Sequence, residues 1–323
     1  MLTFNSEFLM NFVSTNDLTN ILGVSPQRIA SISKQLEIPS DQFEIRGRSK
    51  FYSPEAVSKI LSHRGLDYSV NRTMAFCNNK GGVGKSTLAT NTAMRLASLG
   101  FKVLLIDADP QSNASSYLLQ DYDYENTLYD VIAKDLPMQK AIVKLGEYLH
   151  MIPSSLAMSQ ADKKIKDGIN AKTYFSRMLE KLDYSFVIWD LSPSLGTLNL
   201  YALLSCTDIN IVTALTDFSV QGLEMTNDLV QFGKEEHPSW NPKVKTVINM
   251  FDSRVTSALE LLGDISKTNV EKYQTVIRID NNFNKSQASK SALPTNSNAS
   301  KDINSFVDEI TGIAHLSANT QIQ

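Results

Sequence analysis

The glycine-rich run KGGVGKST at residues 80–87 restricts the possible folds of this chain more than any other stretch. It follows a short apolar run at residues 73–77 and precedes a stretch with helical spacing at residues 86–99. Glycine adopts backbone conformations that other residues avoid, so such a loop can turn several N–H groups toward one centre. A strand, a glycine-rich loop and a helix in this order are typical of a phosphate-binding P-loop.

The run matches the pattern G-x-x-x-x-G-K-[ST] except at its first position, where Asn79 replaces glycine. The positive end of the helix dipole and the backbone N–H groups together favour a bound phosphate. Lys85 is expected to reach the β- and γ-phosphates, and the Ser86 hydroxyl is expected to bind Mg²⁺. The predicted site for ATP or ADP with Mg²⁺ consists of Lys80, Gly81, Gly82, Val83, Gly84, Lys85, Ser86 and Thr87.

Short apolar runs alternate with helical stretches from residue 73 onward. The runs lie at residues 73–77, 102–106, 149–152, 186–189, 209–213, 244–250 and 275–279. Strands that alternate with helices form βαβ units, whose parallel sheet is covered by helices on both faces. The predicted fold class is therefore α/β: a P-loop NTPase with a mainly parallel twisted sheet flanked by helices, plus a small N-terminal domain.

The composition is that of a globular protein. Of 323 residues, 42% are hydrophobic and 20% are charged, which argues against a largely disordered or fibrous chain. No window holds the roughly 20 apolar residues that cross a bilayer, and residues 1–11 lack the pattern of a signal peptide. Two cysteines cannot form a disulfide framework, so we expect a cytoplasmic protein. Because the net charge is −3, any DNA contact must come from a local patch.

Residues 1–70 are predicted to form a separate domain, with residues 71–323 forming the α/β domain and the polar stretch 65–72 linking them. The pattern predicts, in order, a helix around residues 18–22, a turn at Gly23, a helix over residues 26–36, a β-hairpin over residues 43–52 and a helix that begins at Ser53-Pro54. This order of elements is that of a helix-turn-helix with a β-wing.

Several polar side chains of this segment are candidates for contact with DNA. Those off the apolar stripe of the second helix are Gln27, Arg28, Ser31, Lys34 and Gln35. Arg46, Arg48 and Lys50 place three cations at or near the hairpin tip, as in a wing that contacts the DNA backbone or the minor groove. The alternative is a small docking or dimerisation domain with ordinary solvated charge.

Three motifs resemble the nucleotide motifs of the ParA partition ATPases, in the same order along the chain. They are KGGVGKST at residues 80–87, IDADPQ at residues 106–111 and WDLSPSLG at residues 189–196. The resemblance covers residues 74–313 and weakens after residue 250. It implies that Lys80, the second lysine of the loop, reaches across a dimer to the phosphates of the partner.

The resemblance also implies roles for three aspartates that follow predicted strands. Asp109 resembles the carboxylate that orients the attacking water, and Asp107 is implied to help set the magnesium shell and the switch between nucleotide states. Asp190 resembles the Walker B aspartate, which holds Mg²⁺ through water. Because the carboxyl ends of parallel strands share one edge of a sheet, all three are expected to converge on the P-loop. The predicted catalytic residues are Lys80, Lys85 and Asp109.

The resemblance implies an ATP-driven sandwich dimer that binds non-specific DNA and whose slow hydrolysis is stimulated by a ParB-like centromere-binding protein. Relatives with such an N-terminal extension, the type Ia plasmid-partition subgroup, repress their own operon, which implies operator DNA as a further partner. The non-specific DNA surface is expected in the C-terminal third, where Arg278, Lys285, Lys290 and Lys301 occur with a single acid, Asp280. The expected location is the cytoplasm, on the nucleoid and not on a membrane.

Three alternatives stay open: a transcription regulator that only senses ATP, a MinD-like positioning ATPase and a metal-insertion or iron–sulfur carrier ATPase. A MinD-like membrane helix carries basic residues on its polar face. Here the neighbours of the C-terminal apolar stripe include the acidic Asp302, Asp308 and Glu309, and we expect the stripe to dock on the domain; it consists of Ile303, Phe306, Val307, Ile310 and Ile313. Cys77 and Cys206 do not follow the relevant strands, which disfavours an iron–sulfur cluster. The four histidines lack the ligand spacing of a zinc site.

Overall fold

The computed structural model describes residues 12–313, apart from residues 121–123, 166–169, 216–218, 256–259, 262, 264 and 266–269. Its N-terminal segment, residues 12–63, contains strand β1 (Val13–Ser14), helices α1 (Thr15–Leu22) and α2 (Pro26–Gln35), the hairpin strands β2 (Phe43–Arg46) and β3 (Ser49–Tyr52), and helix α3 (Pro54–His63). Strand β1 pairs with β3 and completes a small antiparallel sheet that the sequence did not predict in full.

Capping residues explain where these helices begin and end. Ser14, Ser25 and Ser53 each accept a hydrogen bond from the backbone N–H three residues later, so a serine caps the start of α1, α2 and α3. Gly23 ends α1 in the left-handed conformation, with φ of 63°. Gly47, with φ of 62°, lies in the two-residue turn of the hairpin. The helices and the hairpin thus lie where the sequence predicts them.

The remaining described strands form one sheet in the order β11-β10-β9-β4-β8-β5-β7-β6. They are β4 (Arg72–Cys77), β5 (Val103–Asp107), β6 (Val143–Lys144), β7 (Leu149–Ile152), β8 (Phe186–Asp190), β9 (Asp208–Ala214), β10 (Lys243–Phe251) and β11 (Glu271–Arg278). Every neighbouring pair is parallel except β6 and β7. The seven predicted strands are confirmed. The structure adds β6, which the sequence did not predict because two residues are too few to show an alternating pattern.

Helices cover both faces of this sheet. The described ones are α4 (Lys85–Ser98), α5 (Asn113–Leu119), α6 (Leu128–Ala133), α7 (Ala171–Leu179), α8 (Thr197–Leu204), α9 (Ser219–Glu236), α10 (Asn281–Ala288) and α11 (Asn298–Thr311). The side chains of each strand alternate between two apolar clusters: Phe76 packs with α4 and α11, and the adjacent Cys77 packs with α7, α8 and α9. These findings confirm the predicted α/β fold and the predicted docking of the C-terminal stripe. No helix within the described ranges combines the length and the apolarity needed to cross a membrane.

The N-terminal segment packs on the same face of the sheet as α4. Leu18 of α1 and Ile60 of α3 are fully buried in the apolar cluster that also contains Leu96 of α4. The approach of α3 is close, because a Cβ added at Gly100 would lie 2.6 Å from the carbonyl oxygen of Pro54. Gly100 also has φ of 89°, which disfavours any side chain there. The segment and the helix that follows the glycine-rich loop therefore share one core.

The predicted linker, residues 65–72, packs against the α/β fold through several of its side chains. The hydroxyl of Tyr68 donates to the carbonyl oxygen of Leu99 at 2.5 Å, and its ring lies 4.4 Å from that of Phe101. Leu66 and Val70 also pack against the core. These apolar side chains bury the connection against the α/β fold, although the surrounding sequence is polar.

Candidate functional site

The glycine-rich loop connects the end of β4 to the start of α4. Gly82 and Gly84 have φ of 76° and 90°, so both occupy conformations that favour glycine. A Cβ at Gly84 would lie 2.2 Å from the side-chain amide nitrogen of Asn249. The glycines therefore satisfy two needs of this loop: its sharp curvature and its close approach to β10.

Two asparagines hold the loop in place. The amide of Asn249, on β10, donates to the carbonyl oxygen of Val83 at 2.7 Å. The amide of Asn78 donates to the carbonyl oxygen of Val212 on β9 at 2.7 Å, and its side-chain oxygen accepts from the backbone N–H of Lys80 at 2.9 Å. Neither asparagine was predicted from the sequence as a residue of the site. For Asn249, its position as a polar residue near the end of the apolar run at 244–250 could have indicated such a role.

Lys85 is held at the first position of α4 with its ammonium group inside the loop. Its Nζ donates to the carbonyl oxygen of Lys80 at 3.0 Å, and the residue is only 6% exposed. Burial lowers the pKa of Lys85, while the nearby carboxylates of Asp190 and Asp109 act to raise it. A buried ammonium group with one backbone acceptor is arranged to bind an anion that enters the loop.

Asp107 and Asp190 lie side by side, because β5 and β8 are adjacent and pair these two residues in register. One carboxylate oxygen of Asp107 accepts from the backbone N–H and the hydroxyl of Ser115, at 2.9 and 2.7 Å. The other accepts from the backbone N–H of Asp109 at 3.1 Å. Burial raises the pKa of Asp107 to about 6, against the effect of these hydrogen bonds.

Asp190 is fully buried, and neither of its carboxylate oxygens accepts a hydrogen bond. Burial raises its pKa well above the usual range, and repulsion from Asp107 adds to this effect. The Ser86 hydroxyl and the Lys85 ammonium act in the opposite direction. A buried carboxylate with unused oxygens beside a P-loop serine fits the outer shell of a hydrated Mg²⁺ ion, which usually keeps several waters.

Asp109 lies in the loop after β5 and is only 6% exposed. One of its carboxylate oxygens accepts from the backbone N–H of Gln111 at 2.9 Å, which fixes the side chain beside the cavity. The residue borders two adjoining cavities, one beside the glycine-rich loop and one beside α8. The three aspartates therefore lie at one edge of the sheet, as the sequence predicts.

The cavity beside the loop has a volume of about 550 Å³. Its lining residues are Gly81, Gly82, Gly84, Lys85, Ser86, Thr87, Asp109, Gln111, Asn113, Ser116, Tyr117, Pro193, Met250, Gln287 and Lys290. Of the predicted nucleotide and metal residues, Lys80, Val83, Asp107 and Asp190 lie behind this lining or beside it. Sequence analysis did not predict the contribution of Gln287 or Tyr117.

The predicted DNA contacts of the N-terminal segment lie on its surface. The α2 side chains in question, Gln27, Arg28, Ser31, Lys34 and Gln35, are all exposed. In the hairpin, Arg46 pairs with Glu44 and lies 5.1 Å from the ring of Phe51. The Lys50 ammonium lies 3.3 Å from the centre of the Phe43 ring, and burial lowers the pKa of this lysine. Arg48, in the turn, is exposed.

The predicted C-terminal DNA contacts differ in how they are held. Arg278 makes a two-pronged ion pair with Asp302 of α11, with a shortest distance of 2.6 Å, so its charge is partly neutralised. Lys285 and Lys301 are exposed, and Lys290 is exposed at the rim of the nucleotide-sized cavity. These four residues therefore do not form one uniform basic face.

The chain is similar to a known protein family and to several characterised proteins. A family described as an AAA domain matches residues 71–245. The cell division protein PomZ of Myxococcus xanthus is 32% identical over 310 residues, which cover 92% of each chain. The sporulation initiation inhibitor protein Soj of Bacillus subtilis is 30% identical over 214 residues, 64% of this chain and 84% of Soj.

Solved structures with a similar fold include nucleotide complexes. An aspartate variant of McdA from Cyanothece, solved with ATP, aligns with a TM-score of 0.66 and 19% identity over 75% of this chain and 96% of McdA. Cobyrinic acid a,c-diamide synthase from Mycobacterium smegmatis, solved with ADP and magnesium, aligns with a TM-score of 0.63 and 23% identity over 74% and 93%. Since a loop of this geometry and relatives of this extent occur together, the chain belongs to the ParA/Soj family of partition ATPases.

Proposed function

We propose that this protein is an ATPase that segregates DNA by cycling between a nucleotide-bound dimer on DNA and a released form. The observation that carries the proposal is the pair of buried groups at the loop. Lys85 presents an ammonium group to the cavity, and Asp190 presents two unused carboxylate oxygens behind Ser86. Triphosphate and Mg²⁺ are the ligands that satisfy both groups at once.

The chemistry requires positioning and neutralisation of charge more than covalent steps. Ser86 would hold Mg²⁺ directly, and Asp107 and Asp190 would hold it through water, so that the ion would neutralise negative charge on the phosphates. The backbone N–H groups of the loop and Lys85 hold the phosphates, and water is excluded from the buried side of the site. Asp109, held beside the cavity by the backbone N–H of Gln111, orients the water that attacks the terminal phosphate.

Lys80 supplies the second positive charge, and we propose that it does so across the interface of a sandwich dimer. Within one chain, the link between Lys85 and Lys80 uses the carbonyl oxygen of Lys80 and not its ammonium group. Lys80 does not line the nucleotide cavity of its own chain. A site that lacks one charge until two copies meet hydrolyses ATP slowly when alone, which suits a timing switch.

DNA contacts are proposed on two separate surfaces. The exposed α2 side chains and the hairpin cations of the N-terminal domain, residues 1–70, fit a winged helix-turn-helix that binds operator DNA and represses the protein's own operon. Lys285 and Lys290, outside that domain, fit non-specific DNA binding by the ATP dimer. We further propose that a ParB-like centromere-binding protein stimulates hydrolysis, and that the protein works in the cytoplasm on the nucleoid.

The test combines an ATPase assay with DNA binding by wild-type protein and Asp109→Ala. We expect the variant to bind ATP and to accumulate on DNA in an ATP-dependent way, while its hydrolysis falls by about 100-fold or more because the attacking water is no longer oriented. Gln111→Ala, which keeps the Asp109 carboxylate and the backbone N–H that it accepts from, is the matched control in the lining of the same cavity. Normal hydrolysis by Asp109→Ala would contradict the proposed role, and a wild-type protein that binds ATP but never hydrolyses it would favour an ATP-sensing transcription regulator.

A further inference from the structure

Gln287, near the end of α10, contacts the glycine-rich loop from a distant part of the chain. Its side-chain nitrogen donates to the hydroxyl oxygen of Thr87 at 3.0 Å, across a sequence separation of 200 residues. Thr87 directly follows the Ser86 that is proposed to bind Mg²⁺, and both Thr87 and Gln287 line the nucleotide cavity. Nothing in the local sequence around Gln287 predicts this contact.

The direction of this hydrogen bond decides whether the Thr87 hydroxyl can still donate its own proton. A threonine hydroxyl carries one proton and two acceptor lone pairs. Because Gln287 donates to the oxygen of Thr87, the hydroxyl proton of Thr87 is left to donate elsewhere. In the proposed nucleotide complex this proton would be available to a phosphate oxygen, and chains of hydrogen bonds strengthen one another. The position of α10 and the binding of phosphate therefore act on the same hydroxyl group.

Helix α10 is also fixed to the segment that carries the proposed water-orienting residue. The Tyr117 hydroxyl, on α5, lies 2.7 Å from that of Ser286 and donates to the carbonyl oxygen of Ser291 at 2.9 Å. At the other end of α10, the Asp280 carboxylate caps the helix and accepts from the backbone N–H of Ala299 at 2.9 Å. The helix is thus held by the loop, by α5 and by α11 together.

The exposed cations of this region surround Gln287. Lys285 precedes it by two residues, and Lys290 follows it by three and borders the cavity. The side-chain amide of Gln120, at the end of α5, donates to the carbonyl oxygen of Lys290 at 3.4 Å. A shift of α10 relative to the loop therefore moves Lys285, which lies on the helix, and acts on Lys290 through the two residues that follow the helix.

We propose that Gln287 is a positioning residue that couples nucleotide binding to DNA binding, by tying α10, with Lys285 on it and Lys290 just after it, to the Thr87 hydroxyl. The inference deepens the proposed function and rests on it for the DNA contact. Because coupling between two ligands is reciprocal, DNA should tighten nucleotide binding by the same factor by which nucleotide tightens DNA binding. Gln287 acts on this factor through Thr87, not by contact with DNA.

The experiment measures that factor in the full-length protein. The affinity for a fluorescent non-hydrolysable ATP analogue is measured with and without a mixed-sequence DNA duplex, for wild type, Gln287→Ala and the control Gln274→Ala. Gln274 is an exposed glutamine on β11 that is distant in sequence from the loop. We expect the coupling factor, the ratio of nucleotide affinities with and without DNA, to be about 5- to 10-fold smaller in Gln287→Ala than in wild type. This is a typical size for one coupled contact, and the control should keep the wild-type factor.

A double-mutant cycle with Thr87→Val separates positioning from general damage to the fold. If the two side chains act as one unit, Gln287→Ala has no further effect on coupling once the Thr87 hydroxyl is gone. Equal thermal unfolding midpoints for wild type and Gln287→Ala serve as the check on folding. Wild-type coupling retained in Gln287→Ala would overturn this inference alone, whereas a wild-type protein without any coupling between nucleotide and DNA would overturn the proposed function as well.

Discussion

The positive charges of the glycine-rich loop and those of the N-terminal hairpin are held in opposite ways. The ammonium group of Lys85 is buried among backbone groups and carboxylates, and burial lowers its pKa. Arg46 and Arg48 are exposed on the hairpin of β2 and β3, where Arg46 pairs with Glu44. Exposed ion pairs contribute only about 0–1 kcal/mol, whereas a buried charge without a full set of partners is costly.

The two sites therefore differ in how strictly their geometry determines the ligand that binds there. The loop holds a buried cation that requires an anion and a buried carboxylate, Asp190, that requires a cation, so its geometry specifies a phosphate with a metal ion. The hairpin cations are already solvated or stacked on rings such as Phe43, so their geometry is compatible with DNA without requiring it. Variants at the buried loop should therefore change ligand binding more than variants at the exposed hairpin.

Replacing the buried cation should have the largest effect. We expect Lys85→Gln to weaken the binding of ATP by about 100-fold or more, because a charge-assisted contact in a buried site contributes about 3 kcal/mol or more. Fluorescence titration with a labelled nucleotide measures the change. A Lys102→Gln variant, which removes an exposed lysine paired with Asp183, is the control. Nucleotide affinity within a few-fold of wild type in Lys85→Gln would contradict the assignment of the loop.

Neutralising the buried carboxylate should affect stability and function in opposite directions. Burial raises the pKa of Asp190, so the nucleotide-free fold favours the protonated carboxyl group. Deprotonation therefore costs the folded state more than the unfolded state. The free energy of unfolding should fall as the pH rises from about 4 through the raised pKa. We expect Asp190→Asn to raise the unfolding temperature of the nucleotide-free protein at pH 8, to change it little at pH 4 and to abolish the Mg²⁺ dependence of ATP binding.

Thermal unfolding between pH 4 and pH 8, with and without Mg²⁺ and ATP, measures both effects of Asp190→Asn. The exposed Asp183→Asn serves as the control, since this side chain is not buried in the fold. An unfolding temperature of Asp190→Asn that falls at pH 8 would show that the Asp190 carboxylate is stabilised in the nucleotide-free protein. The Asp190 carboxylate would then not require a metal ion to compensate its charge.

Changing a hairpin cation should have the smallest effect. We expect Arg48→Ala to weaken binding to a duplex from the region upstream of the protein's own gene by a few-fold, and to lower the slope of log affinity against log salt by about 1. Stability should not change, because Arg48 is exposed in a turn. Filter binding at several salt concentrations measures the slope, with Lys59→Ala as an exposed control on α3. An unchanged slope would favour a docking domain.

Point variants suit this test better than truncation. The N-terminal segment shares its apolar cluster with α4, so its removal would expose core residues such as Leu96 to water. Burial of one such side chain contributes about 1.5–3 kcal/mol, and several would be exposed together. The loss of activity in a truncated protein would therefore not distinguish a missing DNA surface from a damaged nucleotide site.

The local part of this molecule could be predicted from the sequence. The loop, the strand ends and the convergence of Asp107, Asp109 and Asp190 follow from short-range periodicity together with the rule that parallel strands end at one edge. The helices and the hairpin of the N-terminal segment followed from their caps and turns for the same reason. Each of these inferences uses neighbours along the chain.

The contacts that could not be predicted join residues far apart in sequence. Asn249 supports Val83 across 166 residues, and Gln287 reaches Thr87 across 200. The docking of Tyr68 onto Leu99 depends on which face of the sheet the N-terminal segment covers. Periodicity shows that a strand or helix exists but not which elements become neighbours, so these supports of the site appear only in the structure.

We infer that the two lysines of the loop serve different molecules, and the mass of the protein in solution is a direct test of this claim. Light scattering is recorded with a non-hydrolysable ATP analogue and Mg²⁺ for wild type, Lys80→Ala and Lys85→Gln, with nucleotide binding measured in parallel. We predict a dimer for wild type, a monomer that still binds the analogue for Lys80→Ala, and a monomer without bound analogue for Lys85→Gln. A dimer formed by Lys80→Ala as readily as by wild type would contradict the claim.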